Sequence, residues 1–209
     1  MPSHCGAPEP TAHADVIVSG TSQDDIAQVT CDEEYVASPK DVPVEMRCMV
    51  TSRWTPFVGS CMRYVFKSEG ISFQEATLPW QLAEHSQLCM KGVFGSTGQL
   101  FVSLMPDNTG QHVDAQICFR YEYRRTTEVV FNTKENDEWN AQTKIGSMPL
   151  VPGDSFNLTL HVQSDRLQYT LNEAHVYDIP LDSVQSTVVR IGGDTNINVT
   201  YINLISDCD

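Results

Sequence analysis

Four cysteines, Cys5, Cys31, Cys48 and Cys61, crowd the first 61 residues of a 209-residue chain, and only Cys89, Cys118 and Cys208 follow. A segment that short buries too little apolar surface to fold unaided, so this density reads as disulfide stapling in an oxidising compartment. Structural zinc is the competing use of clustered cysteines. Zinc sites draw ligands from close Cys or Cys/His pairs, and none of the steps Cys5–Cys31, Cys31–Cys48 or Cys48–Cys61 supplies one. The chain is therefore expected to be secreted and extracellular. Met1 to His4 has neither the basic head nor the apolar stretch of a secretory signal, which is expected to have been removed. Two N-x-[ST] sequons, at Asn157 and Asn198, suit the same compartment as glycosylation sites.

The stapled segment is interrupted by Pro8, Pro10, Gly20, Pro39, Pro43, Pro56 and Gly59, so only short strands fit, such as Val16–Val18, Ala27–Cys31 and Val44–Met49. Near Val65–Gly70 the pattern changes. Cysteines thin out and long alternating stretches begin, which divides the chain into residues 1–65 and 66–209 with no flexible Gly/Ser or Pro run between them. In the second part Phe156, Leu158, Leu160 and Val162 alternate with Asn157, Thr159 and His161, and Leu167, Tyr169 and Leu171 repeat the period. Asn108-Thr109-Gly110, Pro152-Gly153-Asp154, Asn172-Glu173 and Gly192-Gly193-Asp194 are turn signals between such strands. Strands at this spacing without helical periodicity predict an all-β chain ending in an antiparallel sandwich.

Several functions are excluded. A net charge of −14 with no basic stripe repels a phosphate backbone, so nucleic acid is not an expected partner. No apolar run reaches the ~18 residues of a membrane span, so no membrane insertion is expected. His4, His13, His85, His112, His161 and His175 are scattered without metal-ligand spacing, and no Ser or Cys sits in a nucleophile motif. The chain is read as a non-enzymatic binding protein that needs no cofactor. The acidic clusters Asp24-Asp25, Asp32-Glu33-Glu34 and Asp137-Glu138 lack the alternating oxygen spacing of a calcium loop and read as solvated turns.

Two resemblances sharpen this reading. Cys5-Gly6-Ala7-Pro8, Val29-Thr30-Cys31, Tyr35, Arg47-Cys48, Trp54 and Cys61 make residues 4–62 resemble a sushi (complement control protein) module. That resemblance implies bridges Cys5–Cys48 and Cys31–Cys61, with Trp54 as the main apolar mass of a small core. Asn132-Thr133-Lys134 with Trp139, Pro152-Gly153 followed by Phe156–Val162, and Val189–Ile191 with Tyr201-Ile202 make residues 76–206 resemble a galectin carbohydrate-recognition domain. The implied fold is a galectin-type jelly roll of two antiparallel sheets with a sugar across the concave one. Strand neighbours in that fold imply a Cys89–Cys208 bridge. Cys118 is left on the concave face as a free thiol or an intermolecular bridge.

The galectin resemblance implies a carbohydrate site of seven positions: Arg120, Glu122, Arg124, Asn132, Trp139, Gln142 and Lys144. Arg124, Asn132 and Trp139 match the family's pattern. Arg120 and Glu122 stand where it has His and Asn, and Gln142 and Lys144 where it has Glu and Arg. Arg only donates hydrogen bonds and ionised Glu only accepts them, so the hydroxyl pattern that such a site reads is altered. Four readings stay open. The site is retuned toward glycans, including anionic ones, on a cell-surface or matrix glycoprotein; or sugar binding is lost and the sandwich is an adhesion scaffold for a protein receptor, with Trp139 as anchor; or ordinary β-galactoside binding is kept; or Arg120 and Glu122 form a structural cross-strand ion pair.

Overall fold

A computed structural model of the chain describes residues 4–71, 73–95, 98–107, 109–110, 113–122, 126–147, 149–180, 186–193 and 198–205. The chain divides into two compact units, Met1–Tyr64 and Val65–Asp209. Every regular element among the described residues is a β-strand or isolated bridge, and every strand pairing is antiparallel.

The first unit holds β1 (Ala14–Val18), β2 (Ile26–Cys31), β3 (Tyr35–Ser38), β4 (Glu45–Arg47) and β5 (Ser60–Arg63). They form a three-stranded sheet in the order β1-β2-β4 and a separate β3-β5 pair. The strand expected over Val44–Met49 is shortened to β4, and Cys48 beyond it makes an isolated β-bridge with Trp54. Cys5 is joined to Cys48 and Cys31 to Cys61, with Cα separations of 5.9 and 5.6 Å. A small apolar core cluster of Ala27, Val29 and Met46 is flanked by Ala14, Val16, Trp54 and Phe57. With so little burial, two bridges worth about 2–4 kcal/mol each decide whether the unit folds. Trp54 packs against that core while staying partly exposed, and its Nε1 donates to Gly6 O at 2.8 Å.

The second unit holds β6 (Val65–Ile71), β7 (Phe73–Thr77), β8 (Gln87–Val93), β9 (Gly98–Met105), β10 (Val113–Glu122), β11 (Thr126–Glu135), β12 (Glu138–Trp139), β13 (Thr143–Ser147), β14 (Ser155–Val162), β15 (Arg166–Leu171), β16 (His175–Pro180), β17 (Val188–Gly193) and β18 (Asn198–Asn203). One sheet runs β12-β11-β10-β9-β17-β7, with β13 also paired to β11, and the other runs β16-β15-β14-β8-β18-β6. The period-two pattern fills the space between them. Phe156, Leu158, Leu160, Val162, Leu167, Tyr169 and Leu171 are buried from the six-stranded sheet, and Leu100, Val102, Leu104, Ala115, Ile117, Phe119, Val129, Val189 and Ile191 from the seven-stranded one. Their alternate neighbours therefore face away from the core on each sheet. Asn157 is half-buried and Asn198 exposed, both on the six-stranded sheet. Cys89 lies inside β8, and it is disulfide-bonded. Cys208, the partner expected for it, lies outside the described residues.

Candidate functional site: a groove across the seven-stranded sheet

The outward residues of β9, β10, β11 and β17 fall into rows set by the strand register. Asn132 stands opposite Gln116, Gln116 opposite Ser103, and Ser103 opposite Arg190. Along this polar row Gln116 Nε2 donates to Ser103 Oγ at 2.8 Å. The next row is Val130, Cys118 and Phe101, and the one beyond is Glu128, Arg120 and Gln99. Apart from Val130 and Glu128, the residues of these rows line an open groove of about 530 Å³.

Trp139 forms one wall of the groove. It is placed by the two-residue turn Asn136-Asp137, whose residues both adopt left-handed backbone, with φ of 49° and 68°. Asn and Asp tolerate that region, and two consecutive left-handed residues match the twist of a tight hairpin. The hairpin pairs Glu135 with Glu138 and Lys134 with Trp139. Lys134 Nζ donates to Asp137 Oδ1 at 2.7 Å and to Gly110 O at 2.8 Å, and it lies 5.8 Å from the centre of the Trp139 ring. The indole is 49% exposed, leaving a broad flat surface open to a ligand.

Arg120, Asn132, Trp139 and Gln142 are brought together in the groove lining. Asn132 is buried, with its Oδ1 accepting from Thr133 N at 2.9 Å, while Gln142 is exposed. Lys144 sits beside the groove on β13, its Nζ 3.6 Å from Glu128 Oε2. Glu122 lies opposite Thr126, six residues beyond Gln116 and about 20 Å farther along the strand. Arg124 lies outside the described residues. Arg120 and Glu122 share β10, so they cannot form the cross-strand pair considered from the sequence. The partner of Arg120 is Glu128, directly opposite on β11 and 3.3 Å away, so one carboxylate holds both Arg120 and Lys144.

Cys118 is a free, buried thiol on the groove floor, donating to Gln99 Oε1 at 3.3 Å. Gln99, Ser103, Gln116 and Arg190 also line the groove, although the family pattern does not mark them. Alternation could have found Arg190, since its neighbours Val189 and Ile191 are core residues. Arg120, Lys134 and Arg190 give the lining three cations, and no carboxylate is among its described residues. No group of three or more His, Cys, Asp or Glu among the described residues is arranged to hold a metal ion, and they include no helix long and apolar enough to cross a membrane.

Known proteins align with this unit. Residues 73–204 match the family profile described as galactoside-binding lectin. The 32 kDa beta-galactoside-binding lectin of Haemonchus contortus is 31% identical over 96 residues, covering 44% of this chain and 32% of that protein. Galectin-4 of Rattus norvegicus is 31% identical over 94 residues, covering 42% of this chain and 28% of that protein. The chain thus matches less than a third of the length of either relative. Among solved structures, a galectin of Caenorhabditis elegans superposes with a TM-score of 0.55 at 13% identity over 67% of this chain and 94% of that one. Xenopus laevis galectin-Ib gives 0.52 at 16% identity over 63% and 98%. At such identities the superpositions establish the jelly-roll fold alone. The match of the profile over most of the chain, with that fold beneath it, makes the chain a member of the galactoside-binding lectin family.

Proposed function

We propose that the chain is a secreted, non-enzymatic lectin that binds glycans in the groove of its seven-stranded sheet through an altered galectin-type site. The observation that carries this is Trp139, half-exposed over a floor of hydrogen-bonding groups. An indole face accepts the C–H side of a pyranose without needing a particular hydroxyl pattern, while Asn132, Gln142 and Arg120 supply polar contacts around it. Glu128 acts through Arg120 and Lys144, replacing the carboxylate that Gln142 lacks. Glu122, about 20 Å along the strand from Gln116, has a lesser part. The three lining cations favour anionic glycans over neutral ones, even on an acidic protein.

The remaining assignments follow. Bridges from first to third and second to fourth cysteine support reading residues 1–65 as a sushi module beside a lectin domain at 66–209. Disulfides and the outward sequons at Asn157 and Asn198 support an extracellular glycoprotein whose partner is a cell-surface or matrix glycan.

A glycan array read at low and moderate salt tests the function. Binding is expected, with acidic-glycan signals reduced as salt rises, and Trp139→Ala is expected to remove all of it. Silence of the wild-type protein across the array overturns the lectin reading in favour of a protein-binding scaffold, and binding undiminished in Trp139→Ala moves the site elsewhere.

A further inference from the structure

The first unit has an open sheet edge. β1 is the outermost strand in the order β1-β2-β4. Its register runs from Ala14 opposite Cys31 to Val18 opposite Ala27, and the hydrogen bonds from Asp32 N to His13 O and from Ser19 N to Ile26 O, 2.9 and 2.8 Å, fix its phase. Hydrogen-bonded positions alternate along an antiparallel pair. His13, Asp15, Ile17 and Ser19 therefore turn their backbone groups toward β2. Ala14, Val16 and Val18 turn theirs outward, where no strand stands beside β1 among the described residues.

The side chains on this edge are of the kind that protected edges avoid. Edge strands are ordinarily blunted by lysine, proline or a bulge, whereas β1 reads Ala-Asp-Val-Ile-Val in unbroken register with β2. Val16 packs against the small core, but Ile17 is 66% exposed and Val18 40%. The neighbour of Ile17 on β2 is Gln28, whose Nε2 donates to Val44 O at 3.3 Å, so its own sheet leaves Ile17 uncovered.

Charge narrows what can pair there. Two copies carrying −14 each repel at long range, so they can meet only along a seam poor in charge, and Asp15 is the single charged residue of β1. Antiparallel pairing of β1 with a second β1, with Ile17 on the two-fold axis, lets the outward groups of Val16 and Val18 bond those of the partner's Val18 and Val16. Ile17 then meets the partner's Ile17 at a non-hydrogen-bonded position, where side chains stand closest, and Asp15 faces the partner's Ser19. Centring the pair on Val16 makes more backbone bonds but sets Ile17 opposite a carboxylate and the two Asp15 side chains on a diagonal. A second copy brings an exposed isoleucine to the position where one needs cover, which an unrelated strand does only by coincidence.

We propose that a second copy of this chain pairs along β1, joining two three-stranded sheets into one across a two-fold axis at Ile17. The pairing concerns the first unit alone and does not rest on the glycan reading. Where the groove binds glycan, it doubles the grooves per particle and raises avidity for a dense glycan surface. One short strand from each copy buries less than the ~1,200 Å² of a stable complex, so the dimer is weak and reversible.

Sedimentation of the full chain in a concentration series up to about 1 mM, the reach of a weak contact, is expected to show a monomer–dimer equilibrium that tightens as salt screens the repulsion. Ile17→Lys is expected to weaken it by about tenfold or more, and Ile17→Val to keep it close to wild type, with thermal midpoints confirming that each variant is folded. Mild oxidation is expected to link Ile17→Cys into a reducible dimer. The same treatment should leave Glu45→Cys unlinked, since Glu45 lies opposite Gln28 on β4, at the other edge of the sheet. A wild-type monomer throughout the series, or an equilibrium that Ile17→Lys leaves unchanged, overturns the pairing. So does a failure of Ile17→Cys to link, or equal linking of the two cysteine variants.

Discussion

Tyr169 is wholly buried in the sandwich core, and its hydroxyl has no hydrogen-bond partner among the described residues. A buried hydroxyl left unpaired costs about 1–3 kcal/mol, while the ring itself packs well. Tyr169→Phe is therefore expected to stabilise the protein by about 1–2 kcal/mol, seen as a higher urea midpoint at unchanged slope. Burial also pushes the Tyr169 phenol well above its ordinary range and raises Tyr177 in the same direction. In the unfolded chain both ionise near pH ~10. Above that pH the native state retains protons that the unfolded state has released, so stability is intact below pH ~10 and declines as pH rises through the folded values. The advantage of Tyr169→Phe over wild type should consequently widen above pH 10, and a constant difference across that range would remove desolvation as its cause. The same physics explains why the sequence shows Tyr169 as a core position but not as a strained one: alternation reports which face a residue takes, never whether a partner waits for its hydroxyl.

At the scale of elements, what is local is legible and what is long-range is not. Alternation from Phe156 to Leu171 marks β14 and β15, and Asn172-Glu173 marks the turn between β15 and β16, where both residues are left-handed. Asn132 and Trp139 are legible together in the galectin resemblance because a short hairpin fixes their spacing. The partner of Arg120 is not recognisable in this way. Glu128 faces it only because β10 and β11 pair in one register, and Arg190 joins the polar row only because the C-terminal β17 inserts beside β9. A strand's own sequence carries no record of which distant strand it will meet. The Asn136-Asp137 turn makes this element testable. Asn136→Ile places a β-branched residue at positive φ, a cost of about 1–2 kcal/mol, and should lower the thermal midpoint and weaken glycan binding together by disturbing Trp139. Asn136→Gly keeps the geometry and should leave the array signal close to wild type. Equal binding by the two variants would mean that this turn does not position the indole.

At the scale of the whole molecule, two units are stabilised by different means. Val65–Asp209 has a large two-sheet core, whereas Met1–Tyr64 has a small apolar cluster and two disulfides. Constraint of the unfolded chain dominates in the first unit and burial in the second, so the same perturbation should act on them unequally. Replacing Cys31 and Cys61 together by Ser removes one bridge and should destabilise the first unit by about 2–4 kcal/mol. Hydrogen exchange should then accelerate across β1 to β5 while β8 to β18 keep their protection, because none of the sheet hydrogen bonds in the second unit depends on that bridge. Glycan binding should persist, since every lining residue of the groove lies in the second unit. Protection lost alike in both units, or binding lost with the bridge, would mean that the lectin unit depends on its neighbour for stability and that the boundary at Tyr64 does not separate independent domains.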